Sequence, residues 1–405
     1  MRQDQALSRS SLHQDTGAVV VFDPKMANTI PIEELRRLSD ICATGKDPFI
    51  HKLPKVELHT HIEGTITPAL RWRLAHRNNI PLRSESRQLE FTELTQLEKA
   101  YEPSFRVLGD RNVATVTFFD LFDEGVRVLQ TELDFYELAM AFFERCAAES
   151  VRYVELFFGP HSHRHRGIPP SVFMGGYSRA QRHAFERLGI VVRWIMVLNR
   201  AKPLEEAWDN YRSVALPYRE GMVVGVGLAG NEIDHPPSLF EEILAQARAD
   251  GFKITIHCDP DMPGTHYHIR QVLTSVAGSG ADRCDHGINI ADKPELILLA
   301  QSKGICLTLC PWTYAVYHSD HPIWQSTRTL FEAGVRVTLN SDDPPYMMGH
   351  YTEGNLILAK VAGGFSDAEI VQCQRTSIEK SWAPEDVKRR LREELEAYFV
   401  ENQPK

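Results

Sequence analysis

The sequence predicts a (β/α)8 barrel with a helical insertion after its first strand. Three observations point there. Short β-branched runs recur eight times from residue 53 onward, stretches of helical apolar spacing separate them, and polar residues gather at the C-terminal ends of the runs. Strands alternating with helices imply parallel pairing through βαβ crossovers. An open doubly wound sheet is the competing arrangement. Only a closed ring, however, brings the tip of the first strand beside the tip of the last.

The strands are expected at 55–61, 151–158, 190–198, 223–229, 253–258, 283–286, 305–310 and 335–341. Helical spacing covers 170–188, 203–214, 237–250, 265–277, 294–302 and 322–333, and several of these begin with proline, as first turns prefer. The insertion spans 67–149, with helices at 121–130 and 135–147, and 385–400 reads as a charged amphipathic tail helix. Residues 1–50 form a mixed leader expected to pack on the barrel, with an apolar run at 19–22 and helical spacing over 32–41. Residues 51–405 make the barrel domain.

Bulk properties narrow the function classes. Of 405 residues, 43% are hydrophobic and 24% charged, so a sizeable core can form. A formal net charge of −9 argues against a nucleic-acid partner, because phosphate backbones need a basic surface. No apolar run approaches the roughly 20 residues that span a bilayer. The polar first fifteen residues carry no secretory apolar core. Seven cysteines lie scattered without a Cys-x-x-Cys, mostly inside apolar runs, where a thiol behaves as a small hydrophobe. Cys306 and Cys310 read as two strand residues rather than as a metal pair. A reduced, cytoplasmic protein acting on a small molecule is the expectation.

His59-Thr60-His61 ends the first expected strand, and side chains two apart on a strand point the same way. His257 ends the fifth strand, His286 the sixth and Asp342 the eighth. In a barrel those tips surround one axial pocket. His59, His61, His257 and Asp342 therefore form a candidate metal site, and three imidazoles with one carboxylate suit one zinc ion per chain with a position left for water. A bound divalent ion lowers the pKa of its water toward ~7. His286, followed by Gly287, reads as a base beside the metal rather than a further ligand. Asp343 reads as a substrate-facing carboxylate where Pro344-Pro345 break the strand. Gly230 can present its backbone N–H to a planar ligand.

Taken in order, Leu53-Pro54-Lys55-Val56-Glu57-Leu58-His59-Thr60-His61-Ile62-Glu63-Gly64-Thr65, Leu228-Ala229-Gly230-Asn231-Glu232, Arg283-Cys284-Asp285-His286-Gly287, Cys310-Pro311 and Asn340-Ser341-Asp342-Asp343-Pro344 resemble the adenosine/adenine deaminase family of the amidohydrolase superfamily. The resemblance covers residues 52 to about 400. It implies one zinc and hydrolytic replacement of an exocyclic purine amine. It further implies His59, His61, His257 and Asp342 as ligands, His286 as base partner, and Asp343 and Gly230 as ring contacts. Glu63 stands where nucleoside deaminases usually carry an aspartate near the ribose. With Phe119-Asp120-Leu121 and Glu155-Leu156-Phe157-Phe158-Gly159-Pro160-His161, it leans toward the branch acting on adenine-like bases.

The chain departs from that pattern in two places. The family's proton-shuttling glutamate, three residues after the third metal histidine, is replaced by Pro260, flanked by Asp259 and Asp261. A proline cannot handle a proton, so Asp261 or Asp259 is expected to take the role. Trp312-Thr313-Tyr314 replaces the usual Ser-Asn after Cys310-Pro311, and its bulky rings are expected to reshape the pocket. Two alternatives stand beside the deaminase. One is an amidohydrolase of another amide or amine-bearing heterocycle. The other is a metal-binding paralogue without turnover.

Overall fold

A computed structural model describes residues 30–44, 47–84, 89–102, 118–260, 262–317 and 323–402. Eight parallel strands pair in chain order: β1 (Lys55–His61), β2 (Val151–Phe158), β3 (Val191–Asn199), β4 (Val223–Ala229), β5 (Lys253–Cys258), β6 (Arg283–His286), β7 (Cys306–Leu309) and β8 (Arg336–Leu339). The ring closes through a single residue pair, Thr60 with Asp342. Around it, Asp342 N–H donates to the His59 carbonyl at 2.9 Å and His61 N–H donates to the Asp342 carbonyl at 3.2 Å. The predicted barrel is thus the observed fold, and the candidate metal ligands themselves carry its closing hydrogen bonds.

Side chains complete the same seam. Asn340 Oδ1 accepts from Leu58 N–H at 3.2 Å. The fully buried Glu57 accepts from His59 N–H, Ser341 N–H, the Ser341 hydroxyl and the Thr352 hydroxyl. All four partners are donors, so both carboxylate oxygens are satisfied where the ladder itself is only one pair long.

The opposite, N-terminal mouth is plugged. Arg283 lies over the Trp382 ring at 3.7 Å and pairs with Glu155 at 2.5 Å, which also accepts from Tyr153 OH and Trp382 N–H. Gly225 on β4 leaves room for the indole, since a Cβ there would stand 2.3 Å from Trp382 Cζ3. Ligands must enter from the C-terminal face.

Most helices fall where apolar spacing placed them, including Pro170–Leu188, Glu132–Ala148, Pro294–Lys303 and Glu385–Glu401. Others break at their ends. The 203–214 stretch is a helix over Leu204–Asn210 that widens into a π turn at Tyr211–Ala215, and 265–277 stops at Thr274 before a 3-10 turn in which Ala277 has φ 52°. Strand β8 ends two residues earlier than expected, leaving Asp342 beyond it with φ 59°. In the leader, the helix Ile32–Thr44 packs on Thr352–Val361 and the Ser39 hydroxyl meets His350 Nε2 at 2.7 Å. The apolar run at 19–22 lies outside the described residues. Among the described residues no helix is long and apolar enough to cross a membrane, and all seven cysteines are free and buried.

Candidate metal centre

The strand tips bring His59, His61, His257, His286 and Asp342 together. His61 Nε2 and His257 Nε2 lie 3.0 Å apart, and Asp342 Oδ1 lies 3.6 Å from His59 Nε2 and 3.7 Å from His61 Nε2. His59 Nε2 is buried with no hydrogen-bond partner. The ring of Phe157 stacks on His61, with centroids 4.9 Å apart. One ligand atom each of His59, His61 and His257 lies within 4.8 Å of the others, and a second such group joins His59 to His286, Cys310 and Asp342, so the residues at these tips fit a borderline divalent cation.

Electrostatics agree with that reading. Burial, and after it the charge of His286, hold His59 well below the ordinary histidine value. Burial and His257 bring His61 down to about 4. Burial would raise the Asp342 carboxyl, but the surrounding imidazoles, His59 first, outweigh it and hold it well below the usual range. His59 and His61, held down, need lose no proton to a cation, whereas Asp285 outweighs burial and raises His257, where a cation competes with a proton.

His286 turns one ring edge to the pocket. Its Nε2 lies 3.4 Å from Asp259 Oδ1 and 3.9 Å from Asp342 Oδ2, while its Nδ1 meets Tyr314 OH at 3.1 Å. Thr313 Oγ1 donates to Asp342 Oδ2 at 2.9 Å. The expectation that Trp312 reshapes the pocket is corrected. Its indole is fully buried, stacks on His350 with centroids 4.2 Å apart and donates to the Gly354 carbonyl. Thr313 and Tyr314, by contrast, touch the site.

Of the two carboxylates flanking Pro260, Asp261 lies outside the described residues. Asp259 is turned to the pocket, with a third of its side chain exposed there and its backbone N–H held by Glu232 Oε1 at 2.6 Å. Glu232 is itself held by Arg200 and by His268 Nδ1. Burial on its remaining sides, then the Glu232 charge, raise the Asp259 carboxyl above its usual value.

Asp343 Oδ1 is buried and without a hydrogen-bond partner, and it rests against Gly64 so closely that a Cβ there would come within 1.5 Å. Burial and the adjacent Asp342 raise its pKa well above the carboxylate range. Gly230 follows β4 with φ 97°, and a Cβ would meet Asn199 Oδ1 at 2.8 Å, so glycine suits the position. Glu63 is buried, its Oε1 accepting from Gly159 N–H at 3.0 Å and from His163 Nε2 at 2.9 Å.

Reading from sequence gave Asp285 no role. It is fully buried between His257 and Thr308, and pairing register was the missing signal.

Most of the chain is similar to known proteins. The adenosine deaminase family model matches residues 54–398. An uncharacterized deaminase of Schizosaccharomyces pombe is 35% identical over 88% of this chain and 98% of its own length. The adenine deaminase of Rhodospirillum rubrum is 35% identical over 78% of this chain and 88% of its own. Among solved structures, the adenine deaminase of Arthrobacter aurescens superposes with a TM-score of 0.75 at 28% identity, covering 86% of this chain and 99% of that one. A zinc-bound amidohydrolase from Burkholderia ambifaria gives 0.74 at 27% identity, covering 87% and 92%. The chain therefore belongs to the adenosine deaminase family and is a hydrolytic deaminase acting on a C–N bond.

Proposed function

We propose that this chain is a zinc-dependent deaminase of an aminopurine, with adenine-like free bases as its substrate class. The observation that carries the reading is the Asp259 carboxyl, 3.4 Å from His286 in the pocket that the four metal donors share. A deaminase must protonate a ring nitrogen as water adds to the amine-bearing carbon, and Asp259 stands where a proton can be held.

His59, His61, His257 and Asp342 would hold the zinc, which when bound supplies water activated at neutral pH. His286 lies between the two carboxylates Asp259 and Asp342, placed to take a proton from the attacking water, with Tyr314 fixing its ring. Asp343, whose carboxyl burial and then Asp342 raise, would meet a second ring nitrogen, and the Gly230 backbone would edge the plane. The free-base preference is supported by relatives named adenine deaminases. Glu63 is buried against Gly159 and His163, and its place beside Gly64 makes it a brace for the turn on which Asp343 rests.

The test is ammonia release by zinc-loaded protein over adenine, adenosine, AMP and N6-substituted adenines, with metal-stripped protein as control. Adenine should be turned over with the highest kcat/KM. Silence across the whole panel would reject the proposal in favour of hydrolysis at a different heterocycle or amide.

A further inference from the structure

Two of the candidate ligands turn their outer nitrogens toward one acid. Asp285 on β6 is in register with His257 on β5 and with Thr308 on β7, so all three side chains project from one level of the barrel wall. Asp285 Oδ2 lies 3.2 Å from His257 Nδ1. Its Oδ1 accepts the Thr308 hydroxyl at 2.8 Å, and that same hydroxyl oxygen meets His59 Nδ1 at 2.8 Å. Asp285 and Thr308 are both fully buried.

Proton counting then sets both rings. A threonine hydroxyl has one hydrogen, and here Asp285 takes it. Thr308 Oγ1 must therefore accept from His59, which puts the proton on Nδ1 and leaves a lone pair on Nε2. His257 Nδ1 lies 3.2 Å from the other carboxylate oxygen, and neither atom has another partner, so a proton on Nδ1 is the tautomer that pairs them and frees Nε2. His59 Nε2 has no protein partner, and one ligand nitrogen each of His59, His61 and His257 lie within 4.8 Å of one another.

We propose that Asp285 is the positioning residue of the metal centre, orienting His257 directly and His59 through Thr308 so that both rings offer Nε2 to one ion. This rests on the metal site proposed above. Outer partners of this kind typically change metal affinity by about 10–100-fold when removed. Thr308→Val keeps the shape and deletes the hydroxyl; Thr308→Ser restores it.

The experiment titrates metal-free protein with Co2+, reading the visible spectrum and the affinity against a competing chelator. Thr308→Val should bind Co2+ about 10–100-fold more weakly, with an altered spectrum. Thr308→Ser should return to within a few-fold of wild type. Asp285→Asn should lose at least as much, and adding Thr308→Val to it should cost little more, because the relay is already broken. Wild-type affinity and spectrum in Thr308→Val would overturn the positioning role even with the metal site intact. Failure of the unsubstituted protein to bind Co2+ would instead bring down the metal site itself.

Discussion

Replacing Asp259 by asparagine tests the functional reading most sharply. The substitution keeps the side chain's size, and the Asp259 backbone N–H stays on Glu232 at 2.6 Å, so the turn after β5 has no reason to move. What disappears is an acid that can give up a proton beside His286. Loss of a positioned proton donor costs roughly 10²–10⁴-fold in rate, or about 3–5 kcal/mol at the transition state. A third of the side chain faces the open pocket, where water can partly substitute, so the lower half of that range is expected. The assay is steady-state deamination of adenine from pH 6 to 9, with metal content measured by elemental analysis on the same samples. kcat should fall at least a hundredfold with KM nearly unchanged and metal retained. Asp261→Asn, made in parallel, should stay within a few-fold of wild type. A variant at Asp259 that keeps its kcat within threefold would refute the reasoning, and loss at Asp261 instead would move the role there.

Three further outcomes are expected. Gly64→Ala puts a methyl where the Asp343 carboxylate sits; overpacking of this kind costs about 1–3 kcal/mol. It should lower kcat/KM for adenine about 10–100-fold without releasing metal, as kinetics and elemental analysis will show. His286 holds φ 59°, a left-handed conformation that disfavours any side chain by roughly 1–2 kcal/mol. His286→Gly should therefore unfold at higher denaturant than His286→Ala, both being inactive; equal midpoints would mean that no strain is relieved. His350, buried on Trp312, is held down at about 4 by burial and then by Arg145. The unfolded chain protonates near pH 6.5, so the stability this residue gives is whole above about 6.5 and drains as pH falls toward 4. The window is worth up to about 3 kcal/mol. Calorimetry should show the gap between wild type and His350→Gln narrowing over that range and constant above it.

Much of this architecture was legible because burial leaves periodic traces. Strands shielded on both faces read as β-branched runs, and all eight were found within two residues at either end. The candidate metal donors stood out because each sits where such a run stops. Seven described helices were not placed individually: Pro48–Lys52, Pro68–Asn78, Leu94–Tyr101, His161–Arg164, Pro311–Tyr317, Thr352–Val361 and Asp367–Lys380. Thr352–Val361 is buried on nearly every side, so it lacks the one-sided apolar stripe that marks a surface helix. Asp367–Lys380 did carry a readable start, since Ser366 and Glu369 form a reciprocal cap. The roles of Thr313, Tyr314 and Asp285 were hidden for another reason. Each acts on a histidine or carboxylate at least 28 residues away in sequence, and only the folded register brings them together.

His286 and Asp342 show how the barrel obtains more inward groups than strand alternation allows. On β6, Arg283 and Asp285 already point to the interior, the first to Trp382 and Glu155, the second to His257. The next residue of a regular strand would face the outer helices. A left-handed turn at His286 swings it inward instead, beside Asp285's own partners, and Gly287 at φ 69° completes the reversal. Asp342 uses the same conformation past the end of β8, which lets its backbone close on His59 and His61 while its carboxylate faces their rings. Non-glycine residues hold that conformation only where their surroundings over-determine it. At Asp342 the closing hydrogen bonds and the Glu57 network behind Ser341 supply that constraint. The seam that makes the barrel a ring and the strain that builds the metal centre are thus one structural feature. Weakening Glu57 should loosen the site before it opens the fold.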